Sequence, residues 1–378
     1  MRKIFVHQLM SNASLDACYA LGRREVREMV KDVHGKAGSP VNICEQMFIT
    51  TLNVTMNMVW GGPLHLKERN SIGPEFRRLV MEVFELLSRA NISDLFPVLA
   101  PFDLQGIESR MKKLFLWFDR MFESVIAGRM KENDKVKNKD FLQFLLELKR
   151  QGDEGNTPCL SIDEIKALFV DTLFGALETS STVVEWAMTE LLRHSAKMRR
   201  AREEIEEVVQ NQNLVEESHL PKLLYLDAVI KEALRLHPVA PFLVPRNPSK
   251  DCCVAVYTIP QGSRIMINLW TIQRDPKVWE NPSEFEPERF LKEPERGNFH
   301  GNFFSFLSFG SGRRICAGLP LAERMIKYVL ATLLHSFEWE IPAEEELDVS
   351  EKVGLVMKKK NPLVIIPIPR LATLVQYF

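Results

Sequence analysis

Much is scarce in this chain, and each shortage removes a class of function. Net charge is −1, from 49 Lys and Arg against 50 Asp and Glu, so there is no electrostatic case for a nucleic-acid partner. The eight histidines form no H-E-x-x-H or similar cluster and the six cysteines no C-x-x-C pair, so no zinc site is expected. No secretory leader pattern is present, and Cys18, Cys44, Cys159, Cys252, Cys253 and Cys316 therefore read as reduced thiols. Cys252-Cys253 reads as a surface-loop detail. No run approaches the roughly 18 apolar residues of a membrane span. No Pro/Gly/Ser-rich linker divides the chain. The softest stretches, Lys131–Lys139 and Gly152–Pro158, read as polar surface loops.

What is present is mostly helical periodicity. Hydrophobic residues make up 46% and charged residues 26%, a globular balance. Helical patterns run over Ser14–His34, Val41–Trp60, Glu75–Ala90, Gln105–Lys131, Lys139–Arg150, Lys197–Gln210, Tyr225–Leu236 and Leu321–Phe337. Short strands are expected at Val254–Thr258, Arg264–Leu269 and Leu363–Ile368, where β-branched and apolar residues cluster between turns. The longest pattern, Ser161 to His194, opens with a capping box at Ser161 and Glu164 and meets no proline for over thirty residues. A helix of that length spans roughly 50 Å, enough to cross a whole domain. The aromatics Phe115, Trp117, Phe118 and Phe122 fit helical packing better than a lipid-facing or substrate-access face. Lys358-Lys359-Lys360 fits a solvated charge run better than a contact for an acidic partner.

Three motifs carry chemistry. Phe309-Gly-Ser-Gly-Arg-Arg-Ile-Cys-Ala-Gly318 reduces to Phe309-x-x-Gly312-x-Arg314-x-Cys316-x-Gly318. A buried cysteine in a glycine-rich turn would look alike locally, but five fixed positions in ten residues argue for more. Glu232-Ala-Leu-Arg235 places two opposite charges on one helix face. A lone pair of this kind is usually a solvated ion pair. Here apolar neighbours surround it, His237-Pro238 ends the helix, and Pro287-Glu-Arg289-Phe follows downstream. In the middle of the long helix stands Gly175-Ala176-Leu177-Glu178-Thr179-Ser180. The ordinary reading of Thr179 is a hydroxyl bonded to a helix carbonyl.

Taken in this order, the motifs resemble those of the cytochrome P450 superfamily. Continuous stretches resemble the plant A-type enzymes of the endoplasmic reticulum: Leu236–Arg246, Arg274–Pro282 and Glu185–Met188. The resemblance implies a mostly α fold with small β-sheets, one cytochrome P450 domain over residues 1–378. The naive division by about 150 residues is set aside, because the three motifs must meet at one cofactor, haem b.

In that reading Cys316 is the axial iron ligand, and a thiolate there favours O–O cleavage. Phe309 shields the sulfur. Gly312 allows the turn, and Gly318 lets the next helix start close to the cofactor. Arg314, Arg246 and Arg2 hold haem propionates, for which guanidinium is well suited. Glu232, Arg235 and Arg289 form a structural network behind the haem. Thr179 and Glu178 deliver protons. Leu177, Val239, Ala240, Phe242, Leu355 and Val356 contact substrate. Ala176 stands where the family usually has glycine.

The activity implied is a monooxygenase. It would insert one oxygen atom from O2 into a small apolar terpenoid or phenolic substrate, with electrons from NADPH through NADPH–cytochrome P450 reductase, as a monomer. Plant members begin with an apolar anchor and a proline-rich hinge. The opening Met1-Arg2-Lys3-Ile4 resembles the W-x-x-x-R helix entered after its tryptophan, so the expectation is a chain lacking the first quarter. Localisation would then be the endoplasmic reticulum membrane for the complete family and cytoplasmic or peripheral for the chain as written. The alternative is a truncated, non-catalytic homologue binding haem weakly or not at all. A P450-fold isomerase or dehydratase acting on peroxides is disfavoured by Thr179 beside an acid.

Overall fold

The long central helix begins where its cap predicts. In the computed structural model, Ser161 Oγ accepts from the Glu164 N–H at 3.1 Å and Glu164 Oε2 accepts from the Ser161 N–H at 2.9 Å. Two of the helix's orphan donors are thereby satisfied. The helix runs Ile162–Arg193. The structure describes residues 1–62, 69–131, 140–153, 160–210, 214–343 and 346–370. Most of the two soft stretches and Cys159 lie outside the described residues.

Around this helix, α8, stand the others. Before it come α1 (Arg2–Gln8), α2 (Asn12–Gly35), α3 (Ile43–Trp60), α4 (Arg69–Ser88), α5 (Ile92–Leu95), α6 (Ile107–Lys131) and α7 (Phe141–Asp153). After it come α9 (Ser195–Val209), α10 (Leu224–Leu236), the short α11 (Leu269–Ile272) and α12 (Glu288–Lys292), and α13 (Leu319–Ser336). α8 packs against α3, α10, α13, α6 and α9. An aromatic cluster fixes its first half. Trp60 and Phe122 pack on Phe169, with centroids at 5.3 and 5.6 Å, and Phe118 on Phe174 at 5.1 Å. Burying each such ring contributes about 1.5–3 kcal/mol. Phe118 and Phe122 are thus core residues and Trp117 is half-buried, while Phe115 is exposed.

The strands are few. β1 (Val41–Asn42), β7 (Val364–Pro369) and β4 (Phe337–Glu340) form one antiparallel sheet in the order β1-β7-β4. β2 (Cys252–Val254) pairs with β3 (Tyr257–Ile259), and β5 (Glu351–Lys352) with β6 (Lys358–Lys359).

Several expectations are corrected. Val41 opens a strand and not a helix, since Val41 pairs with Ile365 and Asn42 caps α3 by accepting the Glu45 N–H at 3.0 Å. Val254–Thr258 is not one strand: Val254 ends β2, Ala255-Val256 turn with Ala255 at φ 51, and Tyr257-Thr258 open β3, which puts Cys252 and Cys253 in strand β2. Arg264–Leu269 makes no strand. It has one bridge, Ile265 to Arg246, after which its backbone bonds to Phe242 and Pro241 and turns into α11. β4 was not anticipated, because its partner β7 lies far off in sequence.

By length and composition α8 is apolar enough to cross a membrane, the one such helix among the described residues, and it is mostly buried inside the protein. Its buried residues, polar ones such as Thr172, Ser181 and Thr189 included, lie under the helices packed round it, as in a core helix.

Candidate active site

The loop before α13 is built around two glycines in the left-handed region. Gly310 has φ 75 and Gly312 φ 63, a conformation costly for other residues. Gly301 comes close from outside: a Cβ there would lie 2.7 Å from the Gly310 carbonyl oxygen. The loop closes on itself, the Cys316 N–H donating to the Phe309 carbonyl at 2.9 Å. Phe309 is half-buried and packs edge-on against Phe299 at 4.8 Å. Cys316 is exposed, yet protein presses round its sulfur. Desolvation pushes the thiol up, while the N–H groups of Gly318 and Leu319 and the Arg2 charge pull the other way. Burial outweighs them, so the thiol sits above its ordinary value until a metal takes the sulfur. Arg2, in α1, reaches the same loop through the Ile315 carbonyl.

Behind the loop lies a saturated cluster. Glu232 and Arg235 are completely buried. Glu232 Oε1 and Oε2 each accept from Arg235 at 2.8 Å, and Oε1 also accepts from the Glu286 N–H at 2.8 Å and from Arg289 Nε at 3.1 Å. Arg235 spends its other donors on the carbonyls of Gln273, Pro282 and Glu284. A buried ion pair is tolerable only when its remaining lone pairs and protons are satisfied in this way.

Gln273, which sequence reasoning passed over, connects the cluster to the loop. Its amide donates to the carbonyls of Leu234 and Arg235, and its Oε1 accepts from the Leu307 N–H at 3.1 Å and the Ser308 hydroxyl at 3.1 Å. His237 was read as a helix terminator. It also stacks on Trp186 at 3.7 Å and lies 2.9 Å from both Glu190 and Glu351. Burial pushes Glu190 up, and the His237 hydrogen bond together with the Arg193 charge more than offsets this, holding its carboxyl below the usual range. Only the neighbouring Arg274-Asp275 stretch, or an unexplained buried His, could have signalled either residue.

On α8 the burial changes abruptly. Ser180 to Leu191 is buried throughout, whereas Phe174, Ala176 and Thr179 are partly exposed and Gly175 is open. Thr179 donates to the Gly175 carbonyl at 2.7 Å, the ordinary helix bond set against its proposed role. Glu178 is 1% exposed and accepts from Lys358 Nζ at 2.7 Å. The lysine run is therefore not a solvated one: Lys358 reaches α8, and Lys359 is buried beside Trp186 and bonds the Asp348 carbonyl. Only Lys360 is exposed.

The expected substrate residues divide. Val239 accepts the Met357 N–H at 2.8 Å, which brings the Val239–Phe242 segment beside the Leu355-Val356 turn. Ala240 and Leu355 are half-buried and Phe242 is exposed, while Val239 and Val356 are buried. Leu177 is 0% exposed, in the core cluster.

The donor set fits a haem. An exposed cysteine has backbone donors aimed at its sulfur. Arg246 keeps a buried Nε with no hydrogen-bond partner among the described residues. Arg314 is exposed on the loop. A flat anionic cofactor with a thiolate-seeking metal answers all three.

The comparisons agree with this class. The sequence profile of the family Cytochrome P450 matches residues 1–366. Carnosic acid synthase of Salvia pomifera is 38% identical over 378 residues, covering 97% of this chain and 74% of that protein. Flavonoid 3'-monooxygenase of Petunia hybrida is 35% identical, covering 98% of this chain and 74% of that protein. A solved zebrafish cytochrome P450, determined with progesterone, has a TM-score of 0.82 at 23% identity and covers 97% of this chain and 81% of its own; it shares the fold. The chain belongs to the cytochrome P450 family. It is a monooxygenase of the haem-dependent kind, with a redox partner and an apolar substrate.

Proposed function

We propose that this chain hydroxylates a small apolar terpenoid or phenolic compound, receiving electrons from NADPH–cytochrome P450 reductase at the endoplasmic reticulum membrane, as a monomer. Overall, substrate, O2, NADPH and one proton give hydroxylated substrate, water and NADP+. The names of the plant relatives support the substrate class, including ferruginol synthase of Isodon rubescens at 36% identity. Bound haem supplies the activation of O2.

The protein's own residues do the rest. Cys316 donates its thiolate, held by the N–H groups of Gly318 and Leu319. Arg246 and Arg314, with Arg2 from α1, hold the cofactor's carboxylates. Glu232, Arg235 and Arg289 keep the segments behind the loop fixed, and Gly312, Gly318 and Phe309 shape it. Thr179 and Glu178 hand protons toward the open face of α8. Val239, Ala240, Phe242, Leu355 and Val356 exclude water and orient the substrate.

The observation that carries the reading is the exposed Cys316 on a loop turned by Gly310 and Gly312 in the left-handed region and closed by the Cys316 N–H on the Phe309 carbonyl. Its test is spectroscopic. Reduced, CO-treated protein should show the Soret band of thiolate ligation, and Cys316→Ser should lose it together with all oxygenation, because a neutral hydroxyl is a poor ligand. A thiolate-type band in Cys316→Ser would overturn the assignment.

A further inference from the structure

Glu178 is engaged by a residue 180 positions away in the chain. Lys358 Nζ donates to Glu178 Oε1 at 2.7 Å and lies 3.2 Å from Met81 Sδ on α4. The carboxylate is buried, while the lysine side chain is 28% exposed. The pair thus joins the interior of α8 to solvent. Glu178 Oε2 is buried and has no hydrogen-bond partner among the described residues. Buried polar atoms are nearly always partnered, so this oxygen has capacity that the fold itself does not use. Thr179 meanwhile gives its hydroxyl to Gly175. As folded, the acid and the alcohol each face a different partner.

We infer that Lys358 is a positioning residue for proton delivery: it pins Oε1 of Glu178 and leaves Oε2 as the one oxygen that takes up a proton and passes it on. The inference rests on the reading of Glu178 and Thr179 as the proton-delivering pair. The lysine suits the task. Its ammonium is a compact cation on a flexible stem with three donors, enough to hold Oε1 and still face water. In each turnover Oε2 accepts a proton from water on one side and releases one toward the Thr179 side, so the carboxylate returns unchanged. The protons leave with the second oxygen atom of O2 as water, and the electrons come from NADPH. Among the described residues, Glu185 on the same helix and Cys44 on α3 are electrostatically coupled to this carboxylate, and Arg77 on α4 is coupled to both of them. Neither Glu185 nor Cys44 can replace the lysine's positive charge, and Arg77 lies 3.9 Å from Glu45.

The test uses Lys358→Met and Lys358→Arg, with Thr179→Ala and Glu178→Gln as references. Lys358→Met should bind haem with an unchanged CO spectrum. Infrared spectra should show a new protonated-carboxyl band that disappears in the Lys358→Met/Glu178→Gln double variant, because an unpaired buried carboxylate takes up a proton. The ratio of product to hydrogen peroxide should fall, by up to roughly 100-fold if the oxygen is displaced by about 1 Å. Lys358→Arg should restore most of it. If Lys358→Met keeps its coupling while Thr179→Ala loses it, or if no carboxyl band appears, the lysine is merely structural and the inference fails. If Thr179→Ala and Glu178→Gln also stay coupled, the proton-delivery reading fails and takes the inference with it. Should Lys358→Met not fold, Lys358→Gln removes the charge and, with its shorter side chain, the contact to Oε1, and gives the same readouts.

Discussion

Glu232 and Glu178 are both buried acids on helices, each bound to a basic side chain, and they are finished to different degrees. Every oxygen of Glu232 is used, by two arginines and a backbone N–H. Glu178 has one oxygen held by Lys358 and one with no hydrogen-bond partner among the described residues. The polypeptide completes the first cluster by itself, as a structural element must, because a half-satisfied buried charge is costly. The second is left incomplete beside the open stretch of α8, where a partner from outside the chain can enter. Saturation therefore separates a group that holds the fold from one available for chemistry.

The sharpest way to break this contrast is to remove Glu232. Glu232→Ala leaves Arg235 buried without its counter-charge and should cost about 3–5 kcal/mol. Thermal denaturation should show a much lower Tm, and haem incorporation should fail with it. A Tm near that of the parent would mean that the cluster is not what fixes the region.

The converse holds on α8. Thr179→Ala loses only a hydroxyl bonded within its own helix, and alanine is the better helix former. Its Tm should stay level or rise slightly. Coupling of NADPH to product should fall by about 100-fold, the lower end of what positioned proton transfer contributes, with hydrogen peroxide released instead. Loss of stability without loss of coupling would reverse the comparison.

Glu185 tests the same helix one layer deeper. Burial pushes its carboxyl up to about 7, although the Leu363 N–H and Lys359 favour the charged form. The folded value lies above the ordinary 4.5, so the folded state holds the proton more tightly. Stability from this group is complete below about pH 4.5 and declines as pH rises toward 7. Glu185→Gln keeps an acceptor for Leu363 and removes the ionisation. It should stabilise the protein at pH 8 by at most about 3 kcal/mol and have little effect at pH 4. Denaturant melts at the two pH values check this, and an equal shift at both would assign the effect to packing.

The smallest change is Ala176→Gly, on the partly exposed stretch of α8. It should cost about 1 kcal/mol of helix stability, while turnover rises or stays level as the methyl group leaves the partly exposed stretch of the helix. A fall in turnover larger than the fall in stability would show that the methyl group is part of the site.

Much of this architecture could be read along the chain. The start of α8 follows from Ser161 and Glu164, and the Cys316 loop from glycines whose backbone angles other residues avoid. Glu232 and Arg235 share a helix face by spacing alone. What escaped was held by distant partners. β4 depends on β7, Gln273 on a carbonyl and a loop on either side of it, and the inward turn of Lys358 and Lys359 on a hairpin that lays them against α8.

The sequence by itself determined the candidate chemistry: a cysteine-bearing loop, a helix with an acid and an alcohol side by side, and a paired Glu and Arg. Each rests on backbone conformation and spacing within a few residues, where neighbours alone set the outcome. The tertiary structure decided which charges meet. Glu178 finds Lys358 across 180 residues, and Gln273 reaches Ser308 across 35. Such pairings depend on how the whole chain closes its loops and packs its core, information that no local stretch contains.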